Sequence, residues 1–301
     1  MPFDHVVVLG AGAIGSLYAA KLSVHNDVTV VARPDHVAAI ARDGLRVVGR
    51  ETFTCRVRAV AAPPPIGPRS IVLLTTKVNG NLAAAAGLVD HLRDDTIILC
   101  VQNGLHGEEI VKTVVGSRCL VLRAITQFGA VFREPGIVDF KIGGETYVEA
   151  SPRSAGIADL LTASGLDGRL CDAIAVEVWR KLIFNCVINP ITSITGGEVG
   201  SIADPRLDAI KRLVIDECLR VARAEGVTFD IDFVDALARI FGPSRNTASM
   251  RQDLLKGKPT EIDHMNGAVV ALGDRVGIDC PVNRALVALI KALETQGSVI
   301  G

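Results

Sequence analysis

The feature of this chain that most limits its fold is a glycine-rich turn close to the N-terminus. A valine-rich strand over 5–9 runs directly into GAGAIG at 10–15, and a helical pattern follows as far as Leu22. In this arrangement the first glycine permits a tight turn, the second lets a pyrophosphate approach the backbone, and the third lets the helix pack against the strand. The helix N-terminus then offers N–H groups and a favourable dipole to phosphate. The motif predicts a Rossmann-like domain whose dinucleotide-binding residues are Gly10, Ala11, Gly12, Ala13, Ile14 and Gly15.

The end of the second predicted strand indicates which dinucleotide binds. The strand over 28–31 is followed by Ala32-Arg33-Pro34, where an NAD-binding protein usually carries Asp or Glu for the ribose hydroxyls. An arginine suits a 2′-phosphate instead, because its planar guanidinium matches phosphate geometry. Arg33 is therefore predicted to favour NADP (NADPH) over NAD. The plain alternative is that Arg33 is a solvated loop residue.

Two further buried strands are predicted to end beside the same ligand. The strand over 71–75 precedes Lys77, and the strand over 96–101 precedes Asn103. In an open α/β sheet, ligands bind outside the carboxyl ends of the strands. Lys77 and Asn103 are therefore predicted to contact the ligand of the glycine turn, with a local turn role as the alternative for each.

Beyond Asp172 the hydrophobic period changes from that of strands to that of helices. The predicted fold class is α/β, with an N-terminal Rossmann-like dinucleotide-binding domain over 1–172 and an all-helical C-terminal domain over 173–301. Segments 119–132, 137–140 and 146–150 are predicted to extend the sheet in a partly antiparallel way. Helices of the second domain are predicted over 173–190, 205–226, 230–241, 260–276 and 282–295.

The first of these helices is apolar on most of its surface and has only a narrow polar face. Its stretch EVWRKLIFNCVINP, at 177–190, is mostly apolar, and Lys181, Asn185 and Asn189 recur every four residues, so they share one narrow face. A lysine in apolar surroundings is costly unless it is paired or functional, and a desolvated lysine can donate a proton near neutral pH. The alternative is that Lys181 reaches the surface while the asparagines cap backbone groups.

Composition narrows the partners. The chain has 301 residues and a formal net charge of -1, without a basic cluster, which predicts no nucleic-acid and no membrane partner. Its 7 cysteines are scattered and its 6 histidines lack metal-ligand spacing, so reduced cysteines and no metal are predicted. The N-terminus lacks the pattern of a signal peptide, and a cytoplasmic location is predicted. The sequence leaves a homodimer open.

Longer motifs carry a family resemblance over nearly the whole chain. They are GAGAIGS at 10–16, Lys77 after a strand, QNG at 102–104, WRKLIFNCVINPIT at 179–192, SMRQDLLKGKPTEIDHMNG at 249–267 and GIDCPVN at 277–283. In these motifs the chain resembles the ketopantoate reductases (2-dehydropantoate 2-reductases). The resemblance implies NADPH-dependent reduction of an α-keto acid substrate, 2-dehydropantoate, to pantoate, as in pantothenate biosynthesis.

The resemblance also implies roles for individual residues. Lys181 would be the catalytic lysine and Glu261 its acidic partner. The substrate-binding residues that it implies are Asn185, Asn189, Ser249, Asn103 and Lys77. The cofactor-binding residues that it implies beside the glycine turn are Arg33, Lys77, Asn103 and Glu261. Without it, Glu261 is equally a helix-start carboxylate in a Thr260–Asp263 capping box, and Ser249 a loop serine.

Two other functions are compatible with the sequence. Val78-Asn79 after Lys77, and His106 after QNGL, depart from the family pattern and leave the substrate open. An oxidoreductase of another small keto or hydroxy acid on the same architecture is therefore one alternative. A non-catalytic NADP-sensing protein is the second, although such a protein would have no reason to keep a lysine in an apolar helix.

Overall fold

A computed structural model describes residues 3–296 of the chain. It divides the chain into two compact units. Unit 1 comprises Met1–Gln102 and His106–Ile174, and unit 2 comprises Asn103–Leu105 and Ala175–Gly301. Unit 1 combines strands and helices, whereas the described residues of unit 2 form only helices and their connections. The predicted fold class is confirmed. Between residues 3 and 296, no helix has both the length and the apolar character needed to cross a membrane.

The described part of unit 1 contains two β-sheets and five α-helices. Its strands are β1 (His5–Leu9), β2 (Val28–Val31), β3 (Leu45–Gly49), β4 (Phe53–Cys55), β5 (Arg58–Val60), β6 (Ser70–Leu74), β7 (Ile97–Cys100), β8 (Leu120–Thr126), β9 (Gly129–Glu134), β10 (Ile137–Ile142), β11 (Thr146–Glu149) and β12 (Gly168–Cys171). Its helices are α1 (Ala13–Leu22), α2 (Pro34–Asp43), α3 (Asn81–Ala86), α4 (Gly107–Val115) and α5 (Ala155–Ala163). The larger sheet has the order β12-β11-β8-β7-β6-β1-β2-β5, and the smaller sheet the order β4-β3-β10-β9.

Strand β1 lies at the point where the order of the larger sheet reverses. It pairs in parallel with β2 on one side and with β6 on the other, and four of its five residues are buried, as expected for an apolar strand covered on both faces. The chain goes from β1 to β2 and later returns on the opposite side to form β6. Ligands of open α/β sheets bind at the carboxyl ends of the strands at such a reversal. The glycine turn follows β1 at this place.

Helix α1 lies between the two sheets. It contacts β1 and β2 of the larger sheet and β3, β9 and β10 of the smaller one. Its residues from Gly15 to Leu22 are all buried, which explains why its sequence has no polar face. The phenol of Tyr18 is satisfied by the Thr146 hydroxyl at 2.5 Å, and burial raises the pKa of Tyr18 to about 12.

The segment after β8 differs from the sequence prediction. Strands β8 and β11 pair antiparallel and extend the larger sheet, as predicted. The assignment of 129–132 and 137–140 to that sheet was wrong, because β9 and β10 belong to the smaller sheet. The chain leaves the larger sheet where the N–H of Phe128 donates to the hydroxyl of Thr126, at 3.1 Å, and the Phe128 ring stacks on Phe140 of β10.

The described part of unit 2 is built from six α-helices and short connecting turns. The helices are α6 (Ile174–Thr195), α7 (Asp208–Ala224), α8 (Phe233–Phe241), α9 (Ser249–Leu255), α10 (Asn266–Val276) and α11 (Pro281–Thr295). Helix α6 continues past Pro190, where the sequence predicted its end. The sequence did not predict the short helices α4 and α9.

A buried carboxylate joins α7 to the start of α11. Glu217 of α7 is 4% exposed, and its two carboxylate oxygens accept the backbone N–H groups of Val282 and Asn283 at 2.8 and 2.9 Å. A negative charge is favourable at a helix N-terminus, where N–H groups have no partner within the helix. Pro281 precedes them and has no N–H to satisfy.

The 7 cysteines, all within the described residues, are free thiols. Cys100 is buried in unit 1, and Cys186, Cys218 and Cys280 are buried in unit 2. Burial raises the pKa of Cys100 to about 12 and that of Cys280 to about 11. These two thiols are therefore protonated at neutral pH.

The three glycines of the turn meet different surroundings. A Cβ atom on Gly15 would overlap the carbonyl oxygen of Gly10. Gly10 has a φ of +104°, and a Cβ there would lie 2.6 Å from the backbone nitrogen of Thr76. At Gly12, by contrast, a Cβ would meet no atom within 4 Å. Two of the glycines are thus needed by the fold itself, and the third leaves open space.

This difference predicts opposite effects of two alanine substitutions on stability. Gly15→Ala should lower the free energy of unfolding of unit 1 by about 1–3 kcal/mol, because α1 cannot move away from β1 while it is held between two sheets. Gly12→Ala, its matched control, should unfold at nearly the parent temperature. Thermal unfolding followed by circular dichroism measures both. Equal melting temperatures for Gly15→Ala and the parent would contradict the prediction.

Candidate active site

The N-terminus of α1 has the features of a phosphate site. No side chain caps it, and its first turn contains no acidic residue. Gly12 is exposed directly before the helix, at the position where a Cβ would project into open space. The backbone N–H groups at this end therefore remain accessible to an anion, and the missing side chain leaves room for one. The residues present fit the pyrophosphate of a dinucleotide.

Arg33 stands at the end of β2, as the sequence predicted, and it is exposed. It occupies the N-cap position of α2 with an extended backbone, and Pro34 begins the helix. Its side chain offers five N–H donors in a planar fork, which suits a phosphate monoester.

Lys77 and Asn103 follow two neighbouring strands of the larger sheet. Lys77 comes three residues after β6, is exposed, and precedes a short 3-10 helix over Val78–Gly80. Asn103 comes three residues after β7 and is half-buried. Strands β6 and β7 are parallel neighbours, so both residues leave the same edge of the sheet.

A buried asparagine ties together the residues that precede Lys77 and Asn103. The Oδ1 atom of Asn81 accepts from the hydroxyl of Thr76 at 3.0 Å and from the amide of Gln102 at 2.9 Å. Its Nδ2 donates to the carbonyl of Gly107 at 3.0 Å. Asn81 is fully buried, so these bonds have no competition from water. The connections after β6 and β7 are therefore held at one point.

Arg123 supports the connection after β7 from the neighbouring strand. This residue of β8 is 1% exposed, and its Nη2 donates to the carbonyl of Gln102 at 2.7 Å. Burial lowers the pKa of Arg123, and the carboxylate of Glu108, 3.5 Å from its Nη1, acts in the opposite direction. A buried guanidinium needs such partners, because an unpaired charge in the interior is costly.

In unit 2, α6 carries Lys181, Asn185 and Asn189, which we call the polar stripe. Lys181 and Asn185 are half-buried, and Asn189 is 3% exposed. The apolar residues around them on this helix are buried, as the mostly apolar sequence of the helix predicted. A narrow row of polar groups in an otherwise buried helix can orient a small polar ligand and supply a proton to it.

Asn189 contacts residues from two other parts of unit 2. Its Oδ1 accepts from the hydroxyl of Ser249, the first residue of α9, at 3.5 Å. Its Nδ2 faces the sulfur of Met265 at 3.4 Å. Asn189 and Ser249, both predicted to bind the substrate, thus lie side by side.

Glu261 is half-buried and stands before a short 3-10 helix over Ile262–His264. The residue before it, Thr260, is fixed by Glu294 of α11, which accepts its N–H at 2.8 Å and its hydroxyl at 2.6 Å. Burial alone would raise the pKa of Glu294, but the hydrogen bonds from Thr260 and Lys291 outweigh it and hold this pKa below its usual value. The capping box of Thr260 and Asp263, the alternative to a site role for Glu261, does not form. The N–H of Thr260 donates to Glu294 instead, and Asp263 pairs with Lys291.

The structural roles of three buried polar residues, Arg123, Asn81 and Asn266, are barely indicated by the sequence. Arg123 interrupts the apolar strand LVLRAIT, which marks it as a buried charge but does not reveal its partner. Asn81 and Asn266 lie beside predicted site residues, and nothing in their spacing reveals contacts made from distant parts of the chain. Residues 3–296 contain no group of three His, Cys, Asp or Glu side chains arranged to hold a metal ion, and the prediction of no metal stays a prediction.

Known proteins resemble this chain over nearly its whole length. The family model described as ketopantoate reductase PanE/ApbA matches residues 6–153, and the model of its C-terminal part matches residues 173–294. A 2-dehydropantoate 2-reductase of Pyrococcus horikoshii is 34% identical over 300 residues, which cover 97% of this chain and 98% of that protein.

Two solved structures share the fold. A PanE/ApbA family ketopantoate reductase from Ralstonia eutropha JMP134 has a TM-score of 0.91 and 32% identity, and the match covers 98% of this chain and 99% of that one. D-mandelate dehydrogenase, solved with NADH and anilino(oxo)acetate, has a TM-score of 0.89 with 24% identity, covering 98% of this chain and 100% of that one, which shows the fold alone. By its two family matches and its full-length relatives, the chain belongs to the ketopantoate reductase PanE/ApbA family.

Proposed function

We propose that this protein catalyses the NADPH-dependent reduction of 2-dehydropantoate, an α-keto acid, to the 2-hydroxy acid pantoate. The observation that carries the proposal is the polar stripe of α6, a lysine and two amides in line on a buried helix. Membership of the ketopantoate reductase family supports the choice of reaction and substrate.

The residues of α6 supply what the reaction needs beyond the hydride. When bound, NADPH supplies a hydride to the ketone carbon, and a negative charge develops on the ketone oxygen. The ammonium of Lys181 stabilises this charge and transfers a proton to the oxygen, which completes the hydroxyl group. Glu261 favours the ammonium form as its acidic partner. Asn185, Asn189 and Ser249 hydrogen-bond the substrate's hydroxyl and carboxylate groups and so orient the ketone.

The cofactor is assigned to residues 1–172, and substrate binding and catalysis to residues 173–301. The turn from Gly10 to Gly15 holds the pyrophosphate against the N-terminus of α1. Arg33 pairs with the 2′-phosphate. Lys77, Asn103 and Glu261 are assigned to cofactor binding, and Lys77 and Asn103 to the substrate as well. A cytoplasmic location and a homodimer are the remaining parts of this proposal, and both rest on the sequence.

The reaction and its acid can be tested together. The parent protein should oxidise NADPH with 2-dehydropantoate faster than with other branched or aromatic 2-oxo acids in a panel. Lys181→Ala should bind NADPH normally and lose about 10²- to 10⁴-fold in kcat, the usual value of a positioned acid. Loss of NADPH absorbance gives the rates, and cofactor titration gives the affinity.

The neighbouring Arg180 provides a matched control, since it is half-buried on the same helix and pairs with Glu177. Arg180→Ala should keep kcat within a few-fold of the parent. A folded Lys181→Ala protein with near-parent turnover would rule out Lys181 as the acid. Faster turnover of a different 2-oxo acid would identify another keto acid reductase, and no turnover with any acid would favour an NADP sensor.

Cofactor choice can be tested at Arg33. Arg33→Ala should weaken NADPH binding by about 1.5–3 kcal/mol, because a charge-assisted contact to phosphate is lost, while NADH binding should change little. Arg42→Ala, an exposed arginine in the last turn of the same helix, serves as the control and should leave both affinities unchanged. Calorimetric titration of both cofactors measures the difference. Equal losses for NADPH and NADH would contradict the role of Arg33.

A further inference from the structure

Helix α6 contains a proline in its interior. Pro190 lies between Asn189 and Ile191, and the helix continues to Thr195. Proline has no N–H, so the carbonyl four residues earlier, that of Cys186, lacks the i+4 donor that a helix normally provides. Cys186 is buried, and an unpaired carbonyl in such a place costs free energy. The chain must therefore satisfy this carbonyl with a donor from elsewhere.

Asn266, the first residue of α10, supplies the donor. Its Nδ2 donates to the carbonyl of Cys186 at 2.9 Å, and the side chain is fully buried. The same nitrogen donates to Oδ1 of Asn283 at 2.9 Å, so both of its protons are used. One asparagine thus replaces the bond that Pro190 removes.

The orientation of Asn266 is fixed through a chain of partners. Nδ2 of Asn283 donates to Glu217 at 2.7 Å, which leaves Oδ1 of Asn283 to accept from Asn266. Glu217 is held in turn by the backbone N–H groups at the start of α11. The chain of hydrogen bonds therefore runs from α11 and α7 through α10 to the backbone of α6.

The Cys186 carbonyl that Asn266 binds lies between two residues of the polar stripe along the chain. Cys186 directly follows Asn185 and precedes Asn189 by three residues. Asn266 directly follows Met265, which contacts Asn189, and stands five residues after Glu261. The bond therefore joins the helix of the candidate acid to the segment that carries its predicted partner.

We propose that Asn266 is a positioning residue, which donates the hydrogen bond that Pro190 removes from α6 and thereby fixes the polar stripe relative to the segment of Glu261. The inference rests on the proposed function for its catalytic consequence. The hydrogen-bond replacement itself depends only on the contacts within unit 2.

The first measurement is the kinetic effect of Asn266→Ala. With the parent's preferred 2-oxo acid, kcat should fall about 10- to 100-fold, since small displacements of reacting groups have effects of this size. The KM for NADPH should change much less than kcat, because the glycine turn and Arg33, which are assigned to the cofactor's phosphates, belong to unit 1. The melting temperature should fall by about 3–8 °C, since the Cys186 carbonyl and Asn283 lose their donor.

The second measurement is rescue by Pro190→Ala. This substitution restores a backbone N–H four residues after Cys186, so the carbonyl has a donor without Asn266. In the Pro190→Ala background, Asn266→Ala should cause a smaller fall in melting temperature. Its kcat should recover to within about threefold of Pro190→Ala alone.

Leu272→Ala provides the control, because it truncates another buried side chain of α10 that makes no bond to Cys186. Its effects should be the same with and without Pro190→Ala. Equal losses from Asn266→Ala in both backgrounds would overturn the hydrogen-bond replacement, and a parent-like kcat in a destabilised Asn266→Ala protein would overturn the positioning role. A parent protein inactive with every 2-oxo acid would contradict the proposed function instead, since the melting temperatures decide the replacement without any substrate.

Discussion

Largely buried helices impose one constraint on this protein: a polar group on their buried faces costs free energy unless it finds a partner inside the protein. Helix α1 lies between two sheets, and α6 is buried over most of its length. Water cannot satisfy the polar groups of such helices, so each unpaired group costs free energy. Several polar residues of these helices are therefore bonded by other elements, as Tyr18 of α1 is by Thr146 and Asn189 of α6 by Ser249.

Each unit contains a buried asparagine that bonds separate chain segments. Asn81 in unit 1 and Asn266 in unit 2 are both fully buried. A carboxamide carries a donor and an acceptor at one end, so it can bond two or three chain segments at once without introducing a charge. Asn81 joins the connections after β6 and β7, and Asn266 joins α6 to Asn283. Asn81 thus fixes the residues that precede Lys77 and Asn103, and Asn266 fixes the backbone of α6 at Cys186.

Local patterns were enough to predict the fold class and the glycine turn. A strand, three glycines and an apolar helix are consecutive in sequence, and steric rules apply to them directly. The end of α6 was predicted wrongly, because proline is a reliable stop only if no distant donor replaces the lost bond, and Asn266 does so. Likewise, the sequence predicted a single sheet-extending segment over 119–132, whereas the chain changes sheets within it, next to the place where Phe128 stacks on Phe140. The polar stripe was visible in the sequence, whereas the contact of Asn189 with Ser249 required the tertiary structure.

The distribution of the buried thiols has a practical consequence. Three of them, Cys186, Cys218 and Cys280, lie in the helical unit, and Cys186 contributes the very carbonyl that Asn266 binds. A thiol reagent reaches such sulfur atoms only when the surrounding helices separate for a moment. Alkylation followed by mass spectrometry would therefore report transient opening of each unit by itself, with Cys100 as the reporter for the nucleotide-binding half. The protein thus carries native probes of local unfolding in both units.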